Sequence, residues 1–156
     1  MTEEQIIHTP QIKIATFVVG GECFALKIDC TQEILIPQEI TIIPKVPIFI
    51  NGIMNLRGKI ITIININYLF HLPEKPQDEE TRVIILTFKD TCRLGIWVDN
   101  VIGISSFSED LLETTSNILI KKEDVELIKG IINDNGTIIN VLDSSKLISY
   151  IENYTL

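Results

Sequence analysis

Arg57 and Glu33 are the two side chains whose types and positions best suit specific polar recognition. Arg57 lies in a predicted turn, Arg57-Gly58, between two apolar runs, and its guanidinium offers a rigid fork of N–H donors that matches a carboxylate. Glu33 lies in the same half of the chain, beside a predicted strand edge. The two would form a polar pair on an otherwise apolar surface. The alternative is a turn arginine that is only solvated.

Residues for catalysis or metal binding are not grouped in this sequence. His8 and His71 are the only histidines, and each lies in a segment that we expect to be exposed. The stretch 52–59 differs from a phosphate-binding loop, because five residues separate its glycines and a strand is predicted after it. The acidic run 78–80 lacks the alternating oxygen ligands of a calcium loop. The sequence therefore predicts a protein that is not an enzyme and that has no cofactor and no metal.

Cysteine usage and the amino terminus indicate where the chain works. Cys23, Cys30 and Cys92 make an odd number without a C-x-x-C motif, which is typical of buried small residues in a reducing cytosol. The amino terminus carries Glu3 and Glu4 in place of the basic region of a signal peptide. No run reaches the roughly 18 to 20 apolar residues of a membrane span. We expect a cytoplasmic protein with no direct membrane insertion.

Composition limits the fold and the partners. The chain has 156 residues, of which 46% are hydrophobic and 22% charged, enough to bury a core in one domain. Isoleucine far outnumbers valine, and β-branched side chains favour strands over helices. A net charge of −8 repels phosphate backbones and anionic lipids, so no nucleic acid partner is expected.

Alternating apolar residues and turn signals predict a mainly β chain in two parts. The glycine pair Gly20-Gly21 suits a tight hairpin turn, and residues 73–80, with two prolines and several charges, form the clearest linker. Leu147, Ile148 and Ile151 share one face of a helix at 144–152. The predicted strands cover residues 12–19, 23–28, 33–36, 49–56, 59–66, 82–88, 92–98, 127–133 and 137–143, with a helical turn at 67–72.

An internal repeat divides the chain into two related halves. Residues 52–61 align without a gap to residues 130–139, and both glycines, the asparagine and three isoleucines coincide. The glycine and asparagine matches are informative because each marks a backbone position with special turn or bulge requirements. The position of Arg57 corresponds to Asn135, so the turn itself does not require a cation. The repeat predicts two small β subdomains, at 12–72 and 81–143.

The sequence resembles the CheW-like family, the adaptor proteins of bacterial chemotaxis arrays. The most specific similarity is the stretch 49–58, in which a glycine is followed by Asn55-Leu56-Arg57-Gly58. Further similarities are Gln32-Glu33-Ile34, Pro44, Pro47, Val98-Asp99, Gly130 and Leu142-Asp143. The resemblance implies one CheW-like domain over residues 1–156, built from two five-stranded SH3-like barrels that share a hydrophobic core, with a C-terminal helix. It implies a stand-alone adaptor, since the chain leaves no room for a kinase or receiver domain.

The resemblance also implies a role and a binding site. Such proteins bind the regulatory domain of the histidine kinase CheA and the cytoplasmic tip of methyl-accepting chemoreceptors, and catalyse nothing. The positions that the resemblance links to partner binding are Thr31, Glu33, Ile34, Gly52, Asn55, Leu56 and Arg57. Thr31 stands where the family usually has Val, Thr62 where it has Pro, and Asn65 where it has Asp. The alternative function is a small-molecule-binding β-barrel or an enzyme subunit with a pocket between the two halves.

Overall fold

The computed structural model describes residues 10–89, 91–114 and 127–154. His8 and the side chain of Cys92 lie outside the described residues. Within these residues the strands are β1 (Gln11–Val19), β2 (Glu22–Lys27), β3 (Thr31–Leu35), β4 (Ile50–Leu56), β5 (Lys59–Asn65), β6 (Arg82–Phe88), β7 (Thr91–Val98), β8 (Asn100–Ser108), β9 (Glu113–Thr114), β10 (Ile128–Asp134) and β11 (Thr137–Leu142). The α-helices of the same residues are α1 (Ile66–Leu69) and α2 (Ser144–Glu152).

The strands form two sheets that exchange strands with each other. One sheet has the order β8-β1-β2-β11-β10-β9, and the other has the order β3-β6-β7-β5-β4. Strand β3 follows the β1–β2 hairpin and pairs with β6 of the other half. Strand β8 follows the β6–β7 hairpin and pairs with β1. Neither sheet coincides with residues 12–72 or with residues 81–143, because each takes strands from both ranges.

The mainly β class, the two sheets and the C-terminal helix are confirmed. The prediction of two five-stranded barrels needs a correction, because one sheet has six strands. Among the described residues, the edge strands of neither sheet are hydrogen-bonded to each other, so neither barrel is closed by backbone pairing. Compared with the nine strands that the sequence patterns predicted, the structure adds β8 and the two-residue β9.

Strand β8 was missed because no glycine or proline separates it from β7. The chain bends at Asp99 as it passes from one sheet to the other; the Asp99 N–H donates to the carbonyl of Val18, and Oδ2 accepts from the N–H of Gly20 at 2.9 Å. A buried carboxylate that accepts a backbone N–H can stabilise a corner where no flexible residue exists. This corner also fixes the predicted Gly20-Gly21 turn, whose positive φ angles of 58° and 82° are confirmed.

The apolar side chains form three cores. The largest lies between the sheets and contains Phe17, Phe24, Ile64, Ile84 and Leu142, with Leu147, Ile148 and Ile151 of α2 packed into it. Smaller cores fill the interior of each sheet, one around Ile14, Ile132 and Val141 and the other around Met54, Ile63 and Ile85. The implied shared core is therefore present, and each fully buried isoleucine contributes about 1.5–3 kcal/mol.

The predicted repeat is present as two matching hairpins, β4–β5 and β10–β11. Both have a register shift beside the first glycine, Gly52 or Gly130. In each turn an asparagine Oδ1 accepts from the N–H of the second glycine at 2.9 Å, Asn55 from Gly58 and Asn133 from Gly136. Both turn residues have positive φ, as the two-residue type I′ turn requires.

Candidate functional site

The turn between β4 and β5 presents Arg57 to solvent. The φ angle of Arg57 is 51°. Asn55 Oδ1 closes the turn by accepting a hydrogen bond from the N–H of Gly58. The Arg57 side chain is 68% exposed. A tight turn at the end of a hairpin thus holds a guanidinium at a defined position without burying it.

Arg57 and Glu33 form the predicted pair. Arg57 Nη1 donates to Glu33 Oε1 at 2.6 Å, and Nη2 donates to Oε2 at 2.9 Å. Glu33 belongs to β3, at one edge of the five-stranded sheet, and Arg57 joins β4 and β5 at the other end. The ion pair therefore links the two ends of a sheet that no backbone pairing closes. The hydrogen bonds from Arg57 lower the pKa of Glu33, against a smaller opposing effect of burial.

Exposed isoleucines lie on or beside β3 and β5 and on the segment between β3 and β4. Ile36, next to the end of β3, is 71% exposed, and Ile34 and Ile60 are exposed on β3 and β5. Ile42 and Ile48, on the segment between β3 and β4, are also exposed. Large apolar side chains at the surface together with a charged pair are the composition of a protein-docking surface.

The side chains of Glu33 and Ile34 lie on opposite faces of β3. Side chains alternate along a strand, and the half-buried Glu33 shares a face of β3 with Leu35, which packs on the core around Met54. Ile34 points to the opposite, exposed face. Because β3 is an edge strand, a partner that contacts both residues has to reach around that edge.

The other predicted site residues are buried or form hydrogen bonds to the backbone of the same elements. Gly52 and Leu56 are buried. The Asn55 side chain closes the turn, and the Thr31 hydroxyl donates to the carbonyl of Lys27 at 3.2 Å. A valine at position 31 could not make that hydrogen bond. Partner contact at all seven positions stays a prediction, and Ile34, Asn55 and Arg57 are the exposed residues among them.

A second apolar surface, which sequence reasoning missed, occupies the corresponding place in the other sheet. Strand β8 skips one residue against β1, as β3 does against β6, so Gly103 corresponds to Glu33 and Ile104 to Ile34. Ile104 is 64% exposed. With Gly103 and Asn135 in place of Glu33 and Arg57, this surface has no ion pair. A cavity of about 230 Å³ lies between β8 and the β10–β11 hairpin, lined by Ile102, Ser105, Phe107, Asp134, Thr137, Ile139, Thr16 and Cys23.

The remaining chemistry of the described residues is sparse. They contain no group of three or more His, Cys, Asp or Glu side chains that could hold a metal ion. Cys23 and Cys30 are free thiols, and both are half-buried, so the prediction that they are buried is only partly met. Within the same described ranges, no helix has the length and apolarity needed to cross a membrane.

Comparison with known proteins gives a consistent assignment. The family model for the CheW-like domain matches residues 13–152. "Chemotaxis protein CheW" of Treponema pallidum is 30% identical, over 92% of this chain and 85% of the relative. "Chemotaxis protein CheW" of Bacillus subtilis is 28% identical, over 87% and 86%. The crystal structure of the scaffolding protein TtCheW from Thermoanaerobacter tengcongensis is similar with a TM-score of 0.76 and 28% identity, and the match covers 86% of this chain and 90% of that one.

Proposed function

Because the chain belongs to the CheW-like family, we propose that it is a non-catalytic adaptor that couples chemoreceptors to the histidine kinase CheA in bacterial chemotaxis. Its relatives are named as chemotaxis proteins, and the similar crystal structure is that of a scaffolding protein. The proposed place of action is the cytoplasm, at receptor arrays to which the adaptor is recruited. The proposed partners are the CheA regulatory domain and the cytoplasmic receptor tip.

The bidentate Arg57–Glu33 pair at an exposed hairpin tip is the observation that carries the proposal. An amphipathic receptor helix could lay its apolar side chains against Ile34, Ile36 and Ile60. The guanidinium of Arg57 is exposed, so it could also meet a carboxylate of the partner. The isoleucines would supply most of the binding energy, and the charges would set orientation and specificity.

The surface on β8 and β11, which has no ion pair like that of Arg57 and Glu33, supports the proposal of a second docking role. It has the same place in its sheet as the Arg57 surface has in the other, so one molecule would offer two related docking sites of different chemistry. We assign this apolar surface to the CheA regulatory domain. If both partners bind together, linkage requires each to change the affinity of the other by the same factor.

Reversing the charge of Arg57 tests the receptor site. In Arg57→Glu, the new carboxylate faces Glu33, and we expect receptor-tip capture to fall about tenfold or more, as for a central interface arginine. Binding to the CheA regulatory domain and the thermal melt should change little, because the pair is exposed. Quantitative pull-down with purified receptor and kinase fragments, together with circular dichroism melts, would measure these effects.

Lys59→Glu is the matched control, since Lys59 is exposed beside the same turn and gives the same change in net charge. It should retain most of the receptor binding. Loss of receptor binding, kinase binding and thermal stability together in Arg57→Glu would instead show that Arg57 has a structural role. Unchanged receptor binding would reject the proposed site.

A further inference from the structure

The sequence contains two Asn-Gly pairs, Asn51-Gly52 and Asn135-Gly136. In such a pair the backbone nitrogen of the glycine can attack the side-chain amide carbon of the asparagine, because glycine has no Cβ atom to hinder the approach. The first pair belongs to β4, whereas the second is the turn between β10 and β11. The fold thus gives two identical dipeptides different surroundings and different reactivities.

The turn at Asn135-Gly136 is open to solvent and free to move. Both residues are exposed, and a Cβ atom added to Gly136 would meet no atom within 4 Å. The Gly136 N–H donates at 2.9 Å to Oδ1 of Asn133, a side chain that is itself exposed. Because water competes effectively for an exposed hydrogen bond, the turn can open while the core stays packed.

Asn51-Gly52 is restrained by the segment that lies against it. Gly52 is buried, and a Cβ atom there would stand 2.3 Å from the carbonyl oxygen of Thr41. The N–H of Ile53 donates to that same carbonyl at 2.9 Å, and the N–H of Thr41 donates to the carbonyl of Ile53 at 2.8 Å. The backbone after Asn51 cannot rotate the glycine nitrogen toward the side-chain amide unless these contacts break.

We propose that Asn135 is a modification site, at which the folded protein undergoes spontaneous deamidation. The Gly136 nitrogen gives up its proton and bonds to Cγ of Asn135, while the Cγ–Nδ2 bond breaks and ammonia leaves with that proton. Water then opens the resulting succinimide ring at either carbonyl. One product is aspartate, and the other is isoaspartate, in which the main chain runs through the former side-chain carbon. Both products carry a carboxylate in place of the neutral amide.

Deamidation changes the charge of the second apolar surface. Position 135 corresponds to Arg57 in the repeat, so a carboxylate would stand where the other hairpin has a guanidinium. Asp134 and Thr137, on either side of the turn, line the cavity of this surface. A carboxylate that loses its water on binding without gaining a partner opposes association. This consequence rests on the proposed docking of CheA, whereas the modification itself does not.

Peptide mass mapping of the full chain, after incubation in mildly alkaline buffer, tests the modification. In the native protein, the mass increase from exchange of NH₂ for OH should appear at Asn135 at least about tenfold faster than at Asn51, because a buried, hydrogen-bonded segment opens less often than an exposed turn. In urea the two pairs should react at similar rates, since only the fold distinguishes them. Enzymatic methylation of isoaspartate should label the native product.

Two variants assign the reaction to this turn. Asn135→Gly suits the positive φ of 51° and should abolish the mass increase of the turn peptide without changing Asn51. Asn133→Ala removes the acceptor of the Gly136 N–H and should speed the reaction at Asn135. The proposal is overturned if Asn135 reacts no faster than Asn51 in the native chain, or if the turn peptide of Asn135→Gly still gains mass.

Asn135→Asp, a mimic of one product, tests the consequence separately. Capture of the CheA regulatory domain should fall about fivefold or more, and receptor-tip capture should stay unchanged. Unchanged CheA capture would reject the docking role of the second apolar surface, while the mass measurement would still decide whether Asn135 is the modification site.

Discussion

Arg57 holds a backbone conformation that its residue type does not favour. Its φ of 51° lies in the left-handed region, where a non-glycine residue costs about 1 kcal/mol or more and asparagine is better tolerated. Asn135 has the same φ at the corresponding turn of the other hairpin. The arginine is therefore explained by its side chain, which reaches Glu33, and not by the turn.

The Arg57–Glu33 pair should make stability depend on pH in a defined direction. Pairing lowers the pKa of Glu33 below its ordinary value of 4.5, so the pair stabilises the fold above that pH and its contribution is lost as the pH falls through the lowered pKa. We expect Arg57→Gln to lower the free energy of unfolding by at most about 1 kcal/mol at pH 7, since the pair is exposed. Urea unfolding at pH 7 and pH 3 should show a smaller difference at the lower pH.

Arg82→Gln is a suitable comparison for this measurement. Arg82 donates to the backbone carbonyls of Glu79 and Thr81, which do not titrate, so its effect should be equal at both pH values. A difference between Arg57→Gln and the wild-type chain that is as large at pH 3 as at pH 7 would contradict an electrostatic origin. An NMR titration of the Glu33 carboxyl group should also show a higher pKa in Arg57→Gln.

The strands of the hairpins could be predicted from the sequence, whereas β8 and β9, at the two edges of the six-stranded sheet, could not. Alternating apolar residues and Gly-containing turns located β1, β2, β4 to β7, β10 and β11 because these signals are local. The repeat located Gly52 and Gly130 as special positions. Strand β8 escaped because its turn depends on Asp99 meeting Gly20, a contact between residues far apart in the chain. Similarly, sequence spacing could place Glu33 near Arg57 but could not show that Ile34 faces away.

The first glycine of each repeat, Gly52 or Gly130, allows a preceding segment to lie directly against its hairpin. A Cβ atom at Gly52 would stand 2.3 Å from the carbonyl oxygen of Thr41, and one at Gly130 would stand 2.2 Å from that of Glu113. Gly52→Ala should therefore displace residues 40–41 and lower the free energy of unfolding by about 2–4 kcal/mol. Urea unfolding would measure this loss. Hydrogen exchange at Thr41 and Ile53, whose N–H groups each bond to the other's carbonyl, would locate it.

Two further alanine variants distinguish the steric clash with a carbonyl oxygen from backbone strain as causes of that loss. Gly21 has a φ of 82°, and a Cβ atom added there would meet no atom within 4 Å, so Gly21→Ala should cost only the backbone term of about 1 kcal/mol. Gly130→Ala meets the same kind of carbonyl clash and should approach the loss of Gly52→Ala. If Gly52→Ala costs no more than Gly21→Ala while Thr41 and Ile53 stay protected, the close approach is not important for stability.

At the scale of the molecule, strand exchange makes the two sequence halves depend on each other. Strand β3 pairs with β6 of the second half, and β1 pairs with β8. The largest core also combines Phe17 and Ile64 with Ile84 and Leu142. Cooperativity of this kind suits an adaptor, because a rigid body would keep the two proposed docking surfaces at a fixed distance and orientation.

We therefore expect fragments 1–80 and 81–156 to be unfolded when separate and to fold when mixed. Each fragment alone lacks a partner strand for β3 or β8 and leaves half of the shared core exposed, whereas mixing restores both at the cost of association entropy. Circular dichroism and NMR amide dispersion of each fragment and of their equimolar mixture would show this. The intact chain cut by a protease within residues 73–80 is the control and should keep its native spectrum. Cooperative melting of either fragment alone would mean that the repeat units fold independently and that strand exchange adds little.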